Sequence, residues 1–156
     1  WSNPTSWHLD CPNWSFHSRD SLSVWIALDE ATIQNGCMYF LPGSHKTSDF
    51  NRNGNFGPQV GNLFDVYPEW RNIEAVPIQL KPGFASIHNG MIAHGAGPNM
   101  TPYSRRAMVC IYMPDGVKYN GNQNVLSQEQ VATLKIGDPL EFEDQTPLIW
   151  SKQHDG

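Results

Sequence analysis

Basic residues are scarce in this chain. Ten Lys and Arg stand against fifteen Asp and Glu among 156 residues, the formal charge is -5, and no basic run occurs. A nucleic-acid partner, which needs a clustered positive surface, is not expected. Cysteine is scarcer still. Cys11, Cys37 and Cys110 are scattered, odd in number and free of any CxxC pair. That pattern speaks against a disulfide framework and against cysteine-held zinc. It fits reduced thiols in an intracellular protein, so a cytoplasmic location is the expectation. No apolar run approaches the ~20 residues of a membrane helix, so no membrane partner is expected, and no secretory signal opens the chain. The first residue is Trp rather than Met. We therefore expect the natural N-terminus to be missing, with any targeting segment or further strands it carried.

What is present suits one folded domain spanning residues 1 to 156. Hydrophobic residues make up 39% of the chain, with seven Phe, six Trp and five Tyr, while twelve Pro and thirteen Gly announce many turns. Leu22, Val24, Ile26 and Leu28 alternate with Ser21, Ser23, Trp25 and Ala27, a period of two that reads as a strand. Asn35-Gly36 follows as a hairpin signal, then a strand over 37–41. Residues 47 to 72 carry little periodicity and are expected at the surface, where such a segment can act as a lid. Further strands are expected over 75–80, at a sheet edge because of Pro77, over 84–88, over 91–99 and over 105–114. Ser127 is placed to cap a short helix over 127–134. Many short strands with closely spaced turns favour an all-β barrel or sandwich.

The stretch with most chemical content is Trp7 to Pro12, WHLDCP. On an extended strand, residues i and i+2 leave the same face. His8 and Asp10 would then supply two ligands of a 2-His-1-carboxylate site for non-haem Fe(II). Among the other histidines, His154 lies in a polar tail, His45 follows a turn and His17 sits in a loop. His88 and His94 both fall near the ends of late strands, and either is eligible as the second imidazole. His94 precedes Gly95-Ala96-Gly97, where the backbone can turn tightly against a ligand. Arg105 shares its strand face with Ala107, Val109 and Ile111, an apolar set, so that face is the better candidate for an interior. A buried Arg needs an anion, and its fork suits a carboxylate. An Asp or Glu of the protein itself is the competing partner.

WHLD, then LSVWIALDEATIQNGCMYFLPGSHK, then LKPGFASIHNGMIAHGAGPNMTPYSRRAMVCIYMPD resembles the phytanoyl-CoA dioxygenase family from about Trp7 to Pro114, with a weaker match in GDPLEFEDQTPLIW. The resemblance implies a double-stranded β-helix, or jelly-roll, core with long loops, in a chain that lacks the N-terminal elements of that family. It implies an Fe(II)- and 2-oxoglutarate-dependent dioxygenase that uses O2 to hydroxylate a small molecule or acyl chain, releasing succinate and CO2. By the same resemblance His8, Asp10 and His94 are the metal ligands. Arg105 binds the far carboxylate of 2-oxoglutarate, and Trp25 lies near the cosubstrate. The alternation sets Trp25 opposite Leu22, Val24 and Ile26, so a place in core packing stays open for it as well.

Two departures stand out. Some family members carry Ser two residues after the distal His, and this chain has Ala96. Its HxD pair lies at position 8, without the long part that usually precedes it, which leaves open sheet edges that self-association would cover. The carboxylate of Asp10 favours hydroxylation over halogenation, because related halogenases keep a small residue there. Trp7, Trp14, Phe16 and the 47 to 72 segment are candidates to line a substrate entrance, with core or rim packing as the other reading. Two alternatives remain at this point. One is a cupin-type metal enzyme without 2-oxoglutarate, which leaves Arg105 without a role. The other is a non-catalytic, truncated jelly-roll domain.

Overall fold

The computed structural model describes residues 2–52 and 62–151. Seven short strands form in chain order: β1 (Thr5–His8), β2 (Leu22–Ala27), β3 (Met38–Phe40), β4 (Val76–Ile78), β5 (Ala85–Asn89), β6 (His94–Ala96) and β7 (Ala107–Tyr112). They make two antiparallel sheets, ordered β1-β6-β3-β4 and β5-β2-β7. Trp25 and Ala27 of the second sheet pack against Met38 and Phe40 of the first, with Ile78, Leu80 and Ile92 beside them. That is the jelly-roll sandwich. Among the described residues no helix is long and apolar enough to cross a membrane.

Several expectations hold. Pro77 lies in β4, an outer strand paired only with β3. Helix α2 (Gln128–Thr133) begins at Ser127 with a complete capping box, Ser127 to Gln130 and back, so two donors at its first turn are satisfied reciprocally.

The hairpin expected at Asn35-Gly36 does not form. The turn is real: the Asn35 side chain accepts from Thr32 N–H, Cys37 N–H reaches Thr32 O, and Gly36 takes φ 85°. Yet β2 and β3 belong to different sheets, so the turn carries the chain across the sandwich instead of folding one ladder back on itself. A Cβ at Gly36 would meet the Gly97 carbonyl at 2.6 Å, which also explains why glycine is needed there.

Residues 53–61 of the expected surface segment lie outside the described residues. The part that follows is core, not lid. Helix α1 (Leu63–Val66) and the 3-10 turn over Pro68–Asn72 bury Leu63, Tyr67 and Trp70, and the last two rings stack at 3.8 Å. They join a second apolar cluster with Leu9, Cys11, Trp14, Phe16, Met91 and Leu140. Trp14 and Phe16 are therefore largely packed inside, with ring centroids 5.3 Å apart, and both also border an apolar cleft. Trp7, half-buried, stands edge-on to Phe64.

Strand β2 reverses the ordinary amphipathic reading. Ser23, Trp25 and Ala27 are buried, while Leu22, Val24 and Ile26 are only partly covered. Directly opposed residues share a face, so the register places Ser86, His88, Ala107, Val109 and Ile111 on the inner side. The face expected for Arg105 is thus the right one. Val109 and Ile111 stay about half exposed because β7 is an edge strand.

Candidate metal centre

His94 opens β6 and is the cross-strand partner of both His8 on β1 and Phe40 on β3. The antiparallel register alone therefore brings the two imidazoles together, with ring centroids 4.1 Å apart. Asp10 arrives differently from the expected strand alternation. The strand ends at His8, and Asp10 is a helical residue (φ -74°, ψ -55°) leading into the 3-10 turn Cys11–Asn13. Pro12 in that turn suits its fixed φ, and Cys11 N–H binds Gly90 O. The bend, with Leu9 fully buried as its anchor, aims the carboxylate back at the imidazoles.

One Asp10 oxygen, Oδ1, lies 3.4 Å from His8 Nε2 and 3.6 Å from His94 Nε2. One ligand atom from each of His8, Asp10 and His94 falls within 4.8 Å of the others. Atoms bound about 2 Å from one ion lie about 3 to 4 Å apart, so the set fits a single metal ion. The second ring nitrogens agree. Nδ1 of His8 is 2.7 Å from the Ser6 carbonyl and Nδ1 of His94 is 3.0 Å from the Ile92 carbonyl. A carbonyl can only accept, so each Nδ1 carries a proton, and in the neutral ring this leaves Nε2 with its lone pair for a metal.

The electrostatics are those of a ready ligand set. Burial lowers the His94 pKa to about 4, against the opposing pull of Asp10, so the ring is neutral near pH 7. Burial would raise the Asp10 carboxyl, but contacts from His8 and His88 and the field of His94 outweigh it and hold it well below the usual carboxylate range. Asp10 is ionised across the working pH range.

Two contacts to Asp10 were not anticipated. Its other oxygen, Oδ2, accepts from Ser23 Oγ at 3.2 Å and faces His88 Nε2 at 3.8 Å. Of the two histidines eligible as second ligand, His94 completes the cluster and His88 stands behind the carboxylate. The available signal was Ser23, a polar residue at the same strand parity as Trp25 and Ala27, with which it shares the buried face.

Arg105 precedes β7, half-buried, with its guanidinium carbon 5.3 Å from the centre of the Trp25 ring. Its Nε is buried without a hydrogen-bond partner, and among the described residues no Asp or Glu pairs with it. Arg106 instead takes Asp29, in a two-pronged pair at 2.8 Å. Ser23 and Trp25 share one face two residues apart, about 7 Å along the strand, so Arg105 lies one side-chain step beyond the Asp10 contact. A polar cleft of about 650 Å3 includes Arg105 together with Asn99, Thr101 and Tyr103. Neither that cleft nor an apolar one of about 630 Å3, between Trp14, Tyr112, Leu140 and Trp150, is lined by a member of the triad.

The sequence profile of the family described as Phytanoyl-CoA dioxygenase (PhyH) matches residues 2–107. The chain belongs to the phytanoyl-CoA dioxygenase family. Among curated proteins, the dioxygenase lolE1 of Epichloe uncinata is 33% identical over 110 residues, 67% of this chain and 38% of that protein. Among solved structures, the non-heme alpha ketoglutarate dependent carbocyclase SnoK superposes with a TM-score of 0.74 at 27% identity, covering 90% of this chain and 54% of that one. The epimerase SnoN, solved with Fe3+, alpha ketoglutarate and nogalamycin RO, gives 0.69 at 26% identity, covering 91% and 56%. This phytanoyl-CoA dioxygenase family chain thus spans well under half of lolE1 and just over half of the two solved relatives.

Proposed function

We propose that this chain carries the iron centre of an Fe(II)- and 2-oxoglutarate-dependent dioxygenase that hydroxylates a small organic molecule or acyl chain, with succinate and CO2 as co-products. One observation carries the reading: His8, Asp10 and His94 converge on a single point while Arg105, one step along the inner face of β2, meets no carboxylate among the described residues. The iron and keto acid held by SnoN support it, as does the 2-oxoglutarate complex of EvdO2.

Iron bound here would supply the oxidising power that couples decarboxylation of 2-oxoglutarate to attack on a substrate C–H bond. The chain's own residues do the rest. The two imidazoles and the Asp10 carboxylate would hold the ion, a 2-His-1-carboxylate set that leaves room for other ligands. His94, neutral near pH 7, and Asp10, ionised, have no proton to lose before the metal binds. Arg105 takes the far carboxylate of 2-oxoglutarate in its fork, and Trp25 beneath it keeps the guanidinium flat and partly dry. Asp10 fills the position that halide binding would need open, which favours hydroxylation.

The test is an anaerobic titration with Fe(II) and 2-oxoglutarate, following the visible charge-transfer band of a chelated keto acid. A band in the wild type that disappears in His94→Ala is the expected result. A folded wild type that shows no band, or a band that survives His94→Ala, overturns the reading.

A further inference from the structure

We infer that Ser23 and His88 form a cross-strand clamp that fixes which oxygen of Asp10 faces the metal. The inference rests on the iron-site reading above. Ser23 on β2 and His88 on β5 are directly opposed partners in the ladder, and both are buried. Both face the same atom, Ser23 in a hydrogen bond and His88 at a longer distance. Ser23 Oγ donates to Asp10 Oδ2 at 3.2 Å, and His88 Nε2 lies 3.8 Å from it. The other oxygen, Oδ1, is the one that faces His8 and His94. The carboxylate is thereby divided: one oxygen toward the protein, one toward the ion.

The tautomer of His88 follows from its surroundings. Its side chain is 6% exposed and its Nδ1 has no hydrogen-bond partner. The Phe40 ring, 4.9 Å away, and the His94 ring, 5.0 Å away, pack against it. A proton on Nδ1 would be a buried donor with nothing to receive it, and would turn the Nε2 lone pair toward an anion. With the proton on Nε2 the anion is met by a donor. His88 therefore acts as a donor aimed at Oδ2. It is a positioning residue: it touches neither the metal position nor a substrate, and works through Asp10.

A clamp of this kind has two effects. It holds Asp10 to one-oxygen ligation, so that further positions on the ion stay open for cosubstrate and oxygen. It also orders the carboxylate before the ion arrives, which raises affinity. Partners that orient metal ligands are commonly worth about 10- to 100-fold in metal affinity.

The test is metal affinity and the visible spectrum of the Co(II)-loaded protein for wild type, His88→Leu, His88→Gln and Ser23→Ala, with circular dichroism of each metal-free variant. Gln carries an amide N–H near the place of the imidazole Nε2–H. We expect His88→Leu to weaken Co(II) binding about 10- to 100-fold and alter the spectrum, Ser23→Ala to weaken it by less, and His88→Gln to restore most of the affinity. Should His88→Leu fail to fold, His88→Gln and Ser23→Ala decide the matter, since a clamp predicts near-normal binding in the first and loss in the second. Wild-type binding that the variants leave unchanged overturns this inference alone, as does equal loss in folded Leu and Gln variants. A wild type that binds no metal overturns the iron-site reading, and this inference with it.

Discussion

Arg105 and Arg106 are adjacent and do opposite things. Arg106 closes a two-pronged pair on Asp29, and its backbone N–H reaches the same carboxylate at 2.8 Å. The Arg106 guanidinium lowers the Asp29 pKa from 3.8 to about 2. Because the folded value lies below the unfolded one, the pair's contribution is complete above pH 3.8 and is lost as pH falls through about 2. The wild-type advantage over Asp29→Asn in acid unfolding should therefore shrink across that window, and it should be small throughout because the Arg106 side chain is exposed. Arg105 has no such partner among the described residues, so its removal should show in ligand binding instead. Arg105→Ala should weaken 2-oxoglutarate binding by about 1.5–3 kcal/mol, the worth of hydrogen bonds to a charged group, with Fe(II) affinity unchanged. Equilibrium dialysis with labelled 2-oxoglutarate measures this. Arg105→Lys should recover only part, since a point charge does not reproduce the fork. The sequence could separate the two arginines by strand parity, but it could not say which had a carboxylate waiting, because Asp29 is 77 residues away from Arg106.

At the scale of elements, β2 and the segment around α1 were the hardest to read. Period-two alternation identified β2 correctly as a strand. It left open which of the two sides faced inward. The buried side is Ser23, Trp25 and Ala27, because a strand lining a polar site must put polar groups inside. The stretch after residue 61 looked irregular because its apolar residues, Leu63, Tyr67 and Trp70, sit on a single helical turn and a 3-10 turn, too short to show a period. They are nevertheless structural. Trp70 is 2% exposed, stacks on Tyr67 and donates its indole N–H to Thr47 Oγ1 at 3.1 Å. Trp70→Ala should cost about 3–5 kcal/mol in urea unfolding. A mobile lid would lose almost nothing from the same change, so the measurement separates the two descriptions.

For the molecule as a whole, the open side of the β5-β2-β7 sheet is the conspicuous feature. Val24, Ile87, Cys110, Met108 and Ile26 share its outer face by register, and Ile87 is 70% exposed. Both outer strands of that sheet, β5 and β7, present unpaired edges within the described chain. A face and edges of this kind associate in water. Sedimentation velocity should show a mean mass that rises with concentration, and Ile87→Lys should reduce the rise while leaving metal binding intact. A constant monomer mass across the range would contradict this.

The residue types and their order were enough to determine the all-β class, the family, the edge position of Pro77, the cap at Ser127 and the His8–Asp10 pair, and they left His88 and His94 as candidates for the second imidazole. These depend on local pattern: period, turn chemistry and the short spacing of a motif. Tertiary structure decided what depends on residues distant in the chain. It chose His94 over His88, because only the former lies opposite His8 in the β1–β6 register. It bent Asp10 out of the strand, sent the Asn35-Gly36 turn across the sandwich, and put Ser23 and His88 behind the carboxylate. The physical reason is the same in each case. Pairing across a sheet joins residues dozens of positions apart, and nothing in a local stretch encodes which partner the ladder will set beside it.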